Sequence, residues 1–450
     1  MGDNKPTSFS QYSRRRNYSL KEDTIFDYAG THHSRVLKLF ESPNPHPSKS
    51  PEKKLLTRKH NRIFHLRFYL PKSALISKRP EIREIVIMFN GLNETDRFDL
   101  YDVLGQHFAE RGIAAVLLPT PFHLNRCPPE KPRHAKHAPP HKLMFRNPML
   151  LFHNYKQSML DSDLLIRKLR NEAPDDKDFG FYKSLFAPNP RISILGFSLG
   201  GLRALASFMH DPAKYHTCII FNSGVQLRLL NTSFLKIKKT VWDKFVSKLQ
   251  LQEQQLRPQL AHDPYWERFA EVYLGNSHKL LEDKLLELSH RLLFILSGGD
   301  QIVPPDHLKD IETEGHGLTS LKIAGVGHVP TADPRWTYWM DRVAEFIIRF
   351  VRSKQDVWSG QNIIDEVANL LAGSAYLATL NKSATDFGLA DLQQLLDGIP
   401  SEHHSSLLRL FYASIAYYPS FREVLNGVFK HYETAEKAAV AKAAVAGTQQ

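Results

Sequence analysis

Residues 191–210, RISILGFSLGGLRALASFMH, constrain this chain more than any other stretch. An apolar strand pattern runs through G-F-S-L-G-G directly into a helical pattern, so the serine must sit on a sharp turn between strand and helix. Such a turn strains the backbone at Ser198 and lifts its hydroxyl above the edge of a sheet. Glycine at 196 and 200 avoids collision with the facing backbone, and Gly201 lets the helix pack close. A bare G-x-S-x-G is common by chance. Flanked by this strand and this helix, it demands a sheet whose strands feed helices.

The rest of the chain meets that demand. Strand patterns fall at 61–70, 83–90, 113–120, 191–197, 216–224, 291–300 and 318–328, with helical patterns between them. In 98–111, Leu100, Val103, Leu104 and Phe108 form one stripe, and Gly112 follows as a stop signal. In 334–353, Trp339, Val343, Phe346, Ile347 and Phe350 recur at helical spacing. The class is α/β, with a mostly parallel central sheet and helices on both faces. A length of 450 residues predicts one large domain with appendages. The expected division is a basic, partly disordered segment at 1–60, the main domain at 61–355, a C-terminal helical region at 356–435 and a low-complexity tail at 436–450. Inside the main domain, 121–150 reads as a basic, Pro/His-rich lid and 225–290 as a helical cap insert. The insert carries Phe234, Ile237, Val241, Trp242, Phe245 and Leu249 at helical spacing, as core or as the wall of an acyl pocket.

A serine is a poor nucleophile until a positioned base takes its proton. Two later strand ends offer the groups required: RLLFILSGGDQIVPP places Asp300 in a tight turn, and LTSLKIAGVGHVP ends on His328. Asp306 is the rival carboxylate; Asp300 directly follows its strand. With Ser, Asp and His in that order, residues 60–355 resemble the α/β-hydrolase superfamily, and G-G-D-Q-I-V-P and G-V-G-H look like the acid and base loops of its esterase and lipase members. The resemblance implies Ser198 as nucleophile, His328 as general base and acid, and Asp300 as the group that orients the imidazole. It also implies an oxyanion hole made by the backbone N–H groups of Leu199 and Leu92. Asn90-Gly91 stands where many relatives have His-Gly, so here an asparagine must brace the loop.

The lid leaves the sheet after the strand at 113–120 and should pass over the mouth of the site, where Arg126 would favour an anionic substrate. Its histidines, 123, 134, 137 and 141, lack the spacing of a metal-binding pair, so neither metal nor other cofactor is expected. The net charge of +12 is concentrated in 1–60 and 121–150, which contribute +6 and +5, and the remainder is close to neutral. No recognisable recognition module accompanies these basic residues, so no nucleic-acid partner is expected. The two cysteines, Cys127 and Cys218, are too few for a disulfide framework, and Cys218 reads as core. No window of about 18 apolar residues exists and the first residues form no apolar signal core, which predicts a cytoplasmic protein without a membrane span. An Arg- and Ser-rich start leaves a transit-peptide or anionic-surface role open for the N-terminus. The expected activity is hydrolysis of a small-molecule carboxylic ester or thioester through an acyl-enzyme. The alternatives are acyl transfer or peptide cleavage by the same residues, and a catalytically silent binding or scaffold protein on this fold.

Overall fold

In this computed structural model the described residues are 24–27, 33–43, 59–77, 79–92, 98–126, 148–173, 176, 178–225, 263–274, 287–300, 302–303, 319–323, 326–330 and 336–352, with a few isolated positions between them. Nine strands form one sheet in the order β1-β2-β3-β5-β4-β6-β7-β8-β9. They are β1 (Thr24–Asp27), β2 (His33–Glu41), β3 (Ile63–Pro71), β4 (Ile82–Phe89), β5 (Ala114–Leu118), β6 (Phe186–Phe197), β7 (Cys218–Phe221), β8 (Leu292–Ser297) and β9 (Thr319–Ile323). From β5 through β4 to β9 every pairing is parallel, whereas β1, β2 and β3 pair antiparallel, as does β3 with β5. All seven expected strands are present.

Alternation along β4 shows how the sequence builds two cores. Ile85, Ile87 and Phe89 face one side of the sheet and Val86 and Met88 the other, and all five are fully buried. The first side is covered by α2 (Pro148–Leu169) and α4 (Leu199–His210), together with the short α3 (Phe179–Leu185). The second is covered by α1 (Asp99–Glu110) and, at the end of the described chain, α6 (Trp336–Arg352). Leu100, Leu104 and Phe108 of α1 pack inward, and α1 ends at Gly112 with a φ of 78°, a conformation glycine adopts without strain. Each fully buried Leu, Ile, Val or Phe in these layers contributes about 1.5–3 kcal/mol relative to exposure.

The division at residue 61 needs correction. Strands β1 and β2 lie within 1–60, and β2 pairs with β3 along its full length, from His33 opposite Pro71 to Glu41 opposite Ile63. Two of the basic residues that made this segment look peripheral, Arg35 and Lys38, are buried. Arg35 donates to Asp102 at 3.2 Å and Lys38 donates to Asp178 at 2.9 Å, acids that are remote in sequence. Val36 and Phe40 between them are core. Residues 1–23 lie outside the described residues, as do most of the lid (127–147), Phe234 to Leu249 of the cap insert, and all of 353–450, which holds the expected C-terminal helical region and tail. Of the insert, α5 (Pro264–Phe269) and a π-helical turn (Ala270–Leu274) are described, packed on α2 and α4 through Trp266, Phe269 and Tyr273. Among the described residues no helix is long and apolar enough to cross a membrane.

Candidate active site

Strand β6 ends at Phe197 and α4 begins at Leu199, leaving Ser198 alone to make the turn. Its φ of 53° and ψ of −121° lie in a region that residues with a side chain rarely occupy. The turn is held open by close backbone approach. A Cβ on Gly200 would lie 2.5 Å from the Phe89 carbonyl oxygen and 2.6 Å from that of Asn90, and one on Gly196 would overlap the Gly200 carbonyl. Gly201 packs against Ser223, just beyond β7, rather than against β6 alone. The Ser198 N–H donates to Phe221 O at 2.8 Å, which fixes the turn to the neighbouring strand.

Ser198, His328 and Asp300 come together from three strand ends. His328 Nε2 lies 2.7 Å from Ser198 Oγ, and His328 Nδ1 lies 2.7 Å from Asp300 Oδ2. All three are buried, with exposures of 8, 7 and 5 % for Ser198, His328 and Asp300. Asp300 Oδ1 accepts from the backbone N–H groups of Ile302 and Val303, both at 2.8 Å, so the carboxylate is held on each oxygen. The acid turn is itself tied to the His328 side of the sheet, since Gly298 and Gly299 donate to Ile323 O and Val326 O at 2.7 and 2.9 Å. Asp306 lies outside the described residues.

Asn222 was not anticipated. It follows β7 in a left-handed conformation (φ 46°) that asparagine tolerates better than most residues, and its Nδ2 donates to the His328 backbone oxygen at 2.9 Å. Its N–H donates to Ile295 O at 2.8 Å. The only sequence signal was an Asn directly after the apolar run CIIF, which also fits an ordinary strand-end turn.

Leu199 is the first residue of α4, so its N–H is one of those that the helix itself leaves without a partner. Leu92 lies half-buried in the turn after β4, which abuts the start of α4 through the Gly200 contacts. Asn90 braces that turn as its position requires. Fully buried, it donates from Nδ2 to Gly91 O at 2.8 Å and accepts at Oδ1 from Thr120 N–H and Oγ1 at 2.8 and 3.1 Å. Gly91 N–H donates to the Tyr101 hydroxyl at 3.1 Å.

Arg126 departs from the expectation of an entrance residue. Its side chain has no exposed surface, Nη1 donates to Asp161 Oδ2 at 2.7 Å and to Pro119 O at 2.9 Å, and Nη2 donates to Asn61 O. Its guanidinium also lies over the Phe64 ring at 4.1 Å. A buried pair of this kind joins α2 to the end of β5, and a sequence in which the two charges stand 35 positions apart gives no sign of it. Of the lid histidines, His123 is buried with Nδ1 close to Pro121 O (2.9 Å) and Thr120 Oγ1 (3.2 Å); the other three lie outside the described residues. Cys218 is buried and unpaired, and burial pushes its thiol up.

No protein-family model matches the sequence, and no curated protein matches it. Similar solved structures include an acetyl xylan esterase from Paenibacillus sp. R4, with 15% identity and a TM-score of 0.41 over 72% of this chain and 87% of that one. A cold-adapted esterase from an Arctic intertidal metagenomic library has 11% identity and a TM-score of 0.39 over 74% of this chain and 98% of its own. An S-formylglutathione hydrolase from Agrobacterium tumefaciens has 12% identity and a TM-score of 0.39 over 73% and 98%. The fold is read instead from the chain itself: a sharp serine turn after a central parallel strand, with Asp300 and His328 following at later strand ends. By that topology the chain has the α/β-hydrolase fold.

Proposed function

We propose that this chain is a serine hydrolase acting on a carboxylic ester or thioester through an acyl-enzyme. The observation that carries the reading is the unbroken relay from Ser198 Oγ to His328 Nε2 and from His328 Nδ1 to Asp300 Oδ2, each step 2.7 Å. His328 takes the Ser198 proton as Oγ attacks the acyl carbon, and Asp300 stabilises the imidazolium and holds its Nδ1–H tautomer. The oxyanion is held by the N–H groups of Leu199 and Leu92, worth about 3–4 kcal/mol per donor at the transition state. His328 then returns the proton to the leaving alcohol or thiol. Water, deprotonated by the same imidazole, releases the acid and restores Ser198.

The backbone at Ser198 favours this reading over a silent scaffold. A serine with φ 53° is held at a cost of about 1–3 kcal/mol, and a turn without a chemical task has no need of it. The test is a fluorophosphonate probe with the wild-type chain and Ser198→Ala, followed by esters and thioesters of graded acyl length. The wild type should label at one site and turn over at least one ester class, and the variant should do neither while keeping its melting temperature. Undiminished turnover in Ser198→Ala would remove the mechanism.

A further inference from the structure

Behind Ser198, α4 carries a cation with no counter-charge among the described residues. Arg203 lies five residues after Ser198 and is 1 % exposed. Its Nη2 donates to Asn154 Oδ1 at 2.5 Å, but among the described residues its Nε and Nη1 have no hydrogen-bond partner. Among the described residues no carboxylate is paired with it. The nearby Arg126 already takes Asp161, and Glu271, on the turn that carries Tyr273, is taken by Arg268. Arg126, Arg203 and Asp161 therefore leave one positive charge in an interior where an isolated ion is strongly disfavoured.

The groups around Arg203 are also unfulfilled donors. The Tyr273 hydroxyl and Arg126 Nε, the groups whose charges bear on Arg203, are buried without a partner among the described residues. That hydroxyl does not supply the missing negative charge, because burial pushes it up to about 12. His123 reports the same excess: burial, and then the charge of Arg203, hold it down to about 3, so it stays neutral and adds no second cation. Buried polar groups in folded proteins are nearly always satisfied, and a cluster that contains a full charge calls for a charged partner more than for solvent.

We propose that Arg203 holds a small monovalent anion of the chloride class where α4, α2 and the Ala270–Leu274 turn meet, with the Tyr273 hydroxyl as a further donor. The single excess charge fits a monovalent ion. The near-complete burial of Arg203, Asn154 and Tyr273 fits one without a tail, rather than the anionic end of a larger substrate. Bound there, the ion would fasten the nucleophile helix to the two elements that cover it. The inference is independent of the hydrolase reading, since it concerns stability and occupancy and not turnover.

The deciding experiment is diffraction from crystals of the whole chain grown in sodium bromide, with data collected at the bromine absorption edge. An anomalous peak within hydrogen-bonding distance of Arg203 Nε or Nη1 is the expected result. In solution, replacing fluoride by chloride at constant ionic strength should raise the wild-type Tm by about 3 °C at a hundred times the dissociation constant. Arg203→Met should lose that chloride-specific increment. Should this variant fail to fold, the wild-type diffraction still decides. Ordered water beside Arg203 with no bromine signal, or a tetrahedral oxyanion in its place, overturns the proposal whatever the melting curves show.

Discussion

Asp300 divides its two oxygens between two tasks, and the division sets what a substitution would do. Oδ1 is fixed by the N–H groups of Ile302 and Val303, while Oδ2 faces His328 Nδ1. In Asp300→Asn the amide oxygen should keep the two backbone donors, which turns the Nδ2 hydrogens toward the imidazole. His328 would then carry its proton on Nε2, where it cannot accept one from Ser198. On the proposed chemistry kcat should fall by about 10³–10⁴ with KM little changed, as steady-state kinetics would read. An Asp300→Asn enzyme with wild-type kcat would pass the role to another acid, Asp306 first. Ser198, Asp300 and His328 were legible because each follows an apolar strand in a turn marked by glycine. Arg126 misled because its partner Asp161 is brought in by folding, and a basic residue in a proline-rich stretch looks the same whether it faces water or a buried carboxylate.

Between β4 and α4 the fit is close enough that one methyl group decides it. Gly200→Ala puts a Cβ 2.5 Å from Phe89 O, and backbone on both sides leaves the helix to move. That shift should cost about 1–3 kcal/mol and separate the Leu199 N–H from the turn that holds Leu92. Urea denaturation would measure the first effect and the rate of fluorophosphonate labelling the second. Gly180→Ala in α3, where a Cβ meets nothing within 4 Å, is the control and should alter neither. If Gly200→Ala matched the wild type on both measures, the close packing at this junction would be refuted. The parallel strands were visible in the sequence because both faces are buried and they read as unbroken apolar runs. Strand β2, HSRVLKLFE, was not, because charges interrupt it; only the arrival of Asp102 and Asp178 from elsewhere turns Arg35 and Lys38 into interior residues.

The antiparallel strands β1 and β2 bear on how much of the N-terminal segment the sheet needs. Removing residues 1–20 should leave kcat and Tm unchanged. Removing 1–43 strips β1 and β2 from β3, exposes Phe64 and Phe68, and breaks the pairs Arg35–Asp102 and Lys38–Asp178, so that chain should aggregate or melt far below the full one. Equal melting curves for the two truncations would show that β2 is ornamental. One further consequence follows from the position of α6. Its Met340, Val343, Ile347 and Phe350 roof the sheet face that Val86, Met88, Leu195 and Ile219 present, and the His328 loop reaches Ser198 from 130 positions away. During translation, at about 5–20 residues per second, the ribosome therefore releases a half-open sheet, with Ser198 lacking His328, for seconds before the roof and His328 arrive together. Nascent chains stalled short of residue 336 should remain protease-sensitive and refuse the fluorophosphonate, and those stalled with residue 352 clear of the exit tunnel should resist the one and accept the other. On the proposed chemistry, synthesis order alone thus keeps the unfinished chain from acting on the esters around it.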